Sequence, residues 1–231
     1  MYQFKEHSSR NELDNRLAIE IVALLEQAIK DKGSASIAVS GGSTPKGLFK
    51  QLSSMDLAWN KVTITLADER WVNLDSDASN TRLVHENLLQ DKAAAAKFFH
   101  LKQGDQLTAE TLADLNLAAK NTILPLDILI LGMGEDGHTA SLFPCSEQIK
   151  DGLDPENESA LLSVEPTTAP HQRISFTFAS LALSKNVILH LCGESKQQVV
   201  NKAINGKDSF EMPIRAFLHH PSLNTQIYWA P

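Results

Sequence analysis

Cysteine is scarce in this 231-residue chain: Cys145 and Cys192 are the only two. They stand far apart and in no metal-type spacing. That argues against a disulfide scaffold and leaves reduced thiols in a cytoplasmic setting as the expectation. No apolar run approaches the roughly 18 residues that span a bilayer, so no membrane association is expected. The first residues, Met1 to His7, lack the basic stretch and apolar run of a secretory leader. Positive charge is in short supply as well: 21 Lys and Arg stand against 28 Asp and Glu, for a formal net charge of −7. This excludes nucleic acid as a general partner, because phosphate backbones require a basic footprint. An anionic ligand would have to be held by a local cluster of cations against the global field. Three signatures are also missing. There is no Gly-x-Ser-x-Gly elbow of a serine hydrolase, no Gly-x-Gly-x-x-Gly on the first βα turn for a nicotinamide cofactor, and no Gly-Lys-Ser/Thr ending of a Walker loop.

What is present is an ordinary core, with 42% hydrophobic residues, arranged as apolar strands alternating with helices. Leu13, Leu17, Ile21, Leu24 and Ala28 recur at helical spacing between Asn11 and Asp31, and Gly33 follows as a stop signal. Short buried strands are expected at 35–40, 62–66, 127–131 and 187–191, an alternating one from Arg173 to Phe178, and a last one near 226–229. Helices are expected at 46–52, 80–89, 107–120 and from Lys196 to about Asn205. This order predicts a single α/β domain over residues 1–231, with a mostly parallel, doubly wound sheet between two helical layers. The polar stretch from Cys145 to Thr168 reads as a surface excursion.

Four loops at the carboxyl ends of predicted strands hold most of the unusual residues, and ligands bind at that edge in open α/β sheets. In the first, Gly41 and Gly42 allow close approach of the backbone, Ser43 and Thr44 offer hydroxyls, and the following helix offers free N–H groups to an anion; the bland reading is an ordinary capped turn. In the second, Asp68-Glu69-Arg70 places three charges directly after a buried strand. They read either as a helix cap with a surface ion pair or as a guanidinium held by carboxylates for an oxyanion or phosphate. In the third, Gly132, Gly134 and Gly137 frame Asp136 and His138, so a carboxylate two residues away can fix the tautomer of an imidazole and raise its basicity. No other ligand-type side chain stands at metal spacing nearby, so no metal is expected. His85, His100, His171, His219 and His220 have no comparable setting. In the fourth, Gly193-Glu194-Ser195-Lys196 puts Lys196 at a helix start, as a solvated lysine or a phosphate clamp.

Taken together, these segments resemble the 6-phosphogluconolactonase family. The resemblance is carried by Ser40-Gly41-Gly42-Ser43-Thr44-Pro45, Asp68-Glu69-Arg70-Trp71-Val72, Ser79-Asn80-Thr81, the long run from Gly132 to Pro144, Arg173-Ile174-Ser175 and Gly193-Glu194-Ser195-Lys196, in the family's order. It implies a three-layer fold shared with glucosamine-6-phosphate deaminases and hydrolysis of 6-phosphoglucono-1,5-lactone to 6-phosphogluconate, with no cofactor and no metal. The deaminases typically have Asp-Glu-Tyr where this chain has Asp68-Glu69-Arg70, and Phe-Asn-Glu-Pro where it has Ser141-Leu142-Phe143-Pro144. Both differences favour the lactonase over a deaminase-like isomerase. A non-catalytic sugar-phosphate binding protein is the alternative of a different class, and the presence of both Asp136 and His138 favours an enzyme. On this reading His138 is the general base and Asp136 orients it. Arg70 stabilises the carbonyl or grips the phosphate. Gly41, Gly42, Ser43, Thr44, Asp68, Arg173 and Lys196 bind the substrate. A monomer or weak homo-oligomer is expected.

Overall fold

The computed structural model describes residues 2–231; Met1, which belongs to the stretch read for a leader and to the predicted domain, lies outside them. Strand β1 (Tyr2–Glu6) leads into helix α1 (Arg10–Lys32). The helix starts where the Ser9 side chain accepts from the N–H of Glu12 and stops at Gly33, whose left-handed backbone returns its N–H to Ile29. Its buried stripe of Leu13, Leu17, Ile21, Leu25 and Ala28 packs on the sheet. Strand β2 (Ala35–Val39), helix α2 (Lys46–Ser54) and strand β3 (Val62–Leu66) follow as expected. Next come β4 (Asp68–Arg70), α3 (Asn80–Asn87), β5 (Lys97–Phe98), α4 (Ala109–Thr122) and β6 (Ile128–Leu131). The chain closes with α5 (Ile149–Leu153), β7 (Leu161–Val164), β8 (Arg173–Phe176), α6 (Phe178–Leu181), β9 (Asn186–Cys192), α7 (Glu194–Asn205), α8 (Ile214–His219) and β10 (Thr225–Ala230).

Seven strands form one parallel sheet in the order β1-β10-β9-β6-β2-β3-β5. From β2 the chain steps outward to β3 and β5, then returns to β6 on the other side and winds outward through β9 and β10. The reversal falls between β2 and β6, paired through Ile37 with Ile128 and Ala38 with Leu129. The loops leaving these two strands therefore diverge and open a crevice. Ser40 stitches its floor, donating to the carbonyl of Ile130 at 3.0 Å and accepting from the N–H of Gly132 at 3.1 Å.

Two expectations are corrected. Asp68-Glu69-Arg70 is not a loop but strand β4, and the stretch from Cys145 to Thr168 is not a bare surface excursion, since it contributes α5 and β7. A second sheet, antiparallel and ordered β4-β8-β7, stands beside the carboxyl edge of the first. Three polar residues adopt strand geometry at β4 because β8 satisfies their backbone groups, in the register Asp68 to Ser175, Glu69 to Ile174 and Arg70 to Arg173.

Candidate active site

The turn after β6 is closed on itself. The N–H of Gly134 donates to the carbonyl of His138 at 2.9 Å, and the Thr139 hydroxyl reaches back to the carbonyl of Gly132 at 2.8 Å. Within it, His138 Nδ1 lies 2.5 Å from Asp136 Oδ1, which also accepts the His138 backbone N–H at 3.1 Å. Partial burial pushes the Asp136 carboxyl up, but the ring and backbone hydrogen bonds from His138 outweigh this and hold it below the ordinary carboxylate range. The imidazole stacks on Phe143, with centroids 4.2 Å apart. Gly134 lies close against the ring, where a Cβ would fall 2.2 Å from both Cε1 and Nδ1. With Nδ1 engaged by a carboxylate, Nε2 is the ring nitrogen left without a protein hydrogen bond among the described residues.

His138 lines a cavity of about 190 Å³ with Gly41, Gly42, Asp68, Arg70 and Arg173. Six of the predicted residues thus meet at the crevice between β2 and β6, roofed by the second sheet. The register of β4 with β8 sets the two guanidinium-bearing residues directly opposite each other. Like charges so placed repel. Burial, and then the charge of Arg70, pull Arg173 below the usual guanidinium range. Each arginine keeps a buried Nε without a hydrogen-bond partner. Asp68 offsets only part of this charge. Its Oδ2 lies 3.9 Å from Arg173 Nη1 and accepts the Ser141 hydroxyl at 2.5 Å. The cluster is thus one that an anion would complete.

The predicted carboxylate grip on Arg70 takes another form. Its guanidinium donates to the carbonyl of Ala78 at 2.6 Å rather than to a carboxylate. Glu69 is fully buried and accepts the N–H groups of Arg70, Asn80 and Thr81 at 2.7, 2.8 and 2.6 Å. It anchors the start of α3 to β4, although its burial pushes the carboxyl up. Three other predicted residues stand apart from the main cavity. Ser43 lines an adjoining one with Lys46 and Arg70. Thr44 faces a small hollow beneath the loop. Lys196 pairs with Glu135 of the glycine-rich turn at 2.7 Å.

Sequence reasoning missed Asn80 as a site residue. It is buried, lines both main cavities, donates to the carbonyl of Asp68 at 3.0 Å and packs so closely on Gly41 that no side chain fits there. The Ser79-Asn80-Thr81 segment of the family resemblance marked its position but gave it no role, since only the return of α3 to β4 brings it to the cavity. Among the described residues no group of three or more His, Cys, Asp or Glu is placed to hold a metal ion. Among them, too, no helix is long and apolar enough to cross a membrane.

Comparison with known proteins identifies the family. The family described as glucosamine-6-phosphate isomerases/6-phosphogluconolactonase matches residues 8–229. A 6-phosphogluconolactonase of Rhizobium meliloti is 45% identical over 220 residues, covering 95% of this chain and 94% of the relative. One from Neisseria meningitidis is 39% identical over 232 residues, covering 100% of both. The crystal structure of a 6-phosphogluconolactonase from Shewanella baltica superposes with a TM-score of 0.95 at 42% identity, covering 100% of this chain and 98% of the other. The chain belongs to the glucosamine-6-phosphate isomerase/6-phosphogluconolactonase family.

Proposed function

We propose that the chain is a lactonase that hydrolyses 6-phosphoglucono-1,5-lactone to 6-phosphogluconate by His138-assisted attack of water. The observation that carries the mechanism is the His138–Asp136 pair, at 2.5 Å, beside a cavity holding two incompletely partnered arginines. The reaction is supported by full-length relatives that bear that name.

Asp136, kept ionised, fixes the proton of the imidazole on Nδ1 and frees the lone pair of Nε2. Nε2 takes a proton from water as its oxygen attacks the lactone carbonyl, a contribution of about 10²–10⁴-fold. The carbonyl oxygen becomes an oxyanion, stabilised by the Arg70 guanidinium and loop N–H groups. The tetrahedral intermediate then expels the ring oxygen, which recovers the proton from the imidazolium, and the free acid ionises. Gly41, Gly42 and Ser43, with Thr44, Arg173 and Lys196, hold the phosphate; Lys196 first has to leave Glu135. Asp68 keeps Arg173 in place. On this reading no cofactor takes part, and the protein works in the cytoplasm in the oxidative pentose phosphate pathway. A monomer or weak homo-oligomer belongs to the same reading.

The test is proton release on adding freshly prepared 6-phosphogluconolactone, corrected for spontaneous opening, beside ammonia release from glucosamine 6-phosphate. Rapid proton release without ammonia is expected. Ammonia at a comparable rate would make the protein a deaminase, and neither product would make it a binding protein.

A further inference from the structure

Strand β9 runs through the inner part of the parallel sheet, and one residue interrupts its apolar centre. His190 is 3% exposed, and neither ring nitrogen has a hydrogen-bond partner among the described residues. Its Nε2 lies 3.3 Å from Oδ1 of Asp14, itself 4% exposed, in the second turn of α1. Two ionisable groups buried so deeply cost more to desolvate than an apolar pair of similar volume, so core stability alone does not account for them.

Their surroundings do. The other carboxylate oxygen of Asp14 rests on the first turn of α2, where a Cβ at Gly47 would fall 2.0 Å from Oδ2. A carboxylate is favoured at a helix N-terminus. Arg10, one turn earlier on the same side of α1, donates to the carbonyls of Ser43 and Thr44, both at 3.0 Å. His190 also borders a hollow of about 50 Å³ with Ser40, Gly41 and Thr44 as part of its wall. One pair of buried groups thus connects the centre of the sheet, the start of α1 and both ends of the loop at 40–47.

We infer that Asp14 and His190 are positioning residues for the phosphate of the substrate, acting through this loop. His190 fixes Asp14 to the sheet, and Asp14 with Arg10 fixes the loop and the start of α2, so that the loop N–H groups meet the ligand preorganised. Neither Asp14 nor His190 borders the cavity beside His138. The inference rests on the lactonase reading, and binding measurements separate the two.

In steady-state kinetics Asp14→Asn should raise KM for 6-phosphogluconolactone about tenfold with kcat within about twofold, and leave unphosphorylated gluconolactone within about twofold on both. His190→Leu should behave alike. His190→Gln, whose amide keeps a polar N–H beside Asp14, should recover most of the loss. Calorimetry should show 6-phosphogluconate bound about tenfold more weakly by Asp14→Asn and gluconate unchanged. Equal losses with and without the phosphate, or a fall in kcat alone, would overturn the inference. A wild type that binds 6-phosphogluconate but opens no lactone would remove the lactonase reading and leave the binding result to decide this one. Should the variants not fold, the ring signals of His190 in the 15N-labelled wild type must shift on saturation with 6-phosphogluconate and stay put with gluconate; unmoved signals overturn it.

Discussion

At the amino-terminal edge of the parallel sheet, the buried carboxylate of Asp127 meets Lys32 at 2.9 Å and Lys185 at 3.1 Å and accepts the N–H of Ser36 at 2.8 Å. It ties together α1 and the starts of β2, β6 and β9, and two lysines answer its charge, although its Oδ1 meets Lys185 as an ion pair and not as a hydrogen bond. At the carboxyl edge, Arg70 and Arg173 face each other with an unpartnered Nε each, and His138 keeps one nitrogen free. The same chemical types are closed at one edge and open at the other. Electrostatics spent within the protein stabilises the fold; electrostatics left unmet is available to a ligand.

The comparison breaks most visibly if charge at the open edge proves structural. His138→Gln should lower kcat by about two to three orders of magnitude while the thermal midpoint stays near that of the wild type, because an amide can bind water but not take its proton. If the arginines and loop amides did nearly all the work, the variant would keep most of its activity.

Asp127→Ala is the converse. Breaking a fully buried ion pair costs about 3–5 kcal/mol; both lysines are substantially exposed, so about 2 kcal/mol is expected, read as a lower denaturant midpoint with kcat unchanged. Burial pushes the Asp127 carboxyl up, but the two lysines and the Ser36 N–H more than offset this and hold it low. Its stabilising contribution is therefore present above the ordinary carboxylate range and is lost as pH falls through the depressed folded value. Acid melts of the variant should lack that decline, and a matching decline would mean that the pair is silent.

Asp136→Asn sharpens the picture within the site. Removing the carboxylate frees the imidazole to take either tautomer, so kcat should drop about tenfold with KM little changed. An unchanged kcat would show that the imidazole needs no carboxylate to fix its tautomer. Exhaustive chelation is expected to have no effect on activity; a loss restored by one divalent ion would turn His138 from a base into a ligand.

The parallel sheet was the more legible in sequence, although the ion pairs of Asp127 at its amino-terminal edge were not read. Strand β3 lies where its Val-Thr-Ile-Thr-Leu run places it, and α1 differs by one residue at each end, because buried periodicity and caps are local signals. The second sheet was not legible. Strand β4 is three polar residues whose partner lies about a hundred positions away, and β7 sits in a polar stretch. Strand β1 is a half-exposed edge, and β5 spans two residues. In the site, His138 and Asp136 could be read because a single residue separates them within one turn. Asn80 and His190 could not, since their contacts exist only once distant segments have folded back. Glu69 was read with its neighbours as a helix cap with a surface ion pair or as a carboxylate holding a guanidinium; it does accept the first N–H groups of α3, but as a buried group, and which helix it serves depends on the same return.

The glycine against the imidazole also limits how this sequence can drift. With a Cβ at residue 134 falling 2.2 Å from the ring of His138, a single added methyl group displaces the base or the turn that holds it. Tolerance to substitution along the chain therefore need not follow burial. Many exposed positions can vary freely, whereas at this one residue, which brings no side chain to the cavity it lines, the smallest side chain other than hydrogen would be felt as a change in the reaction itself.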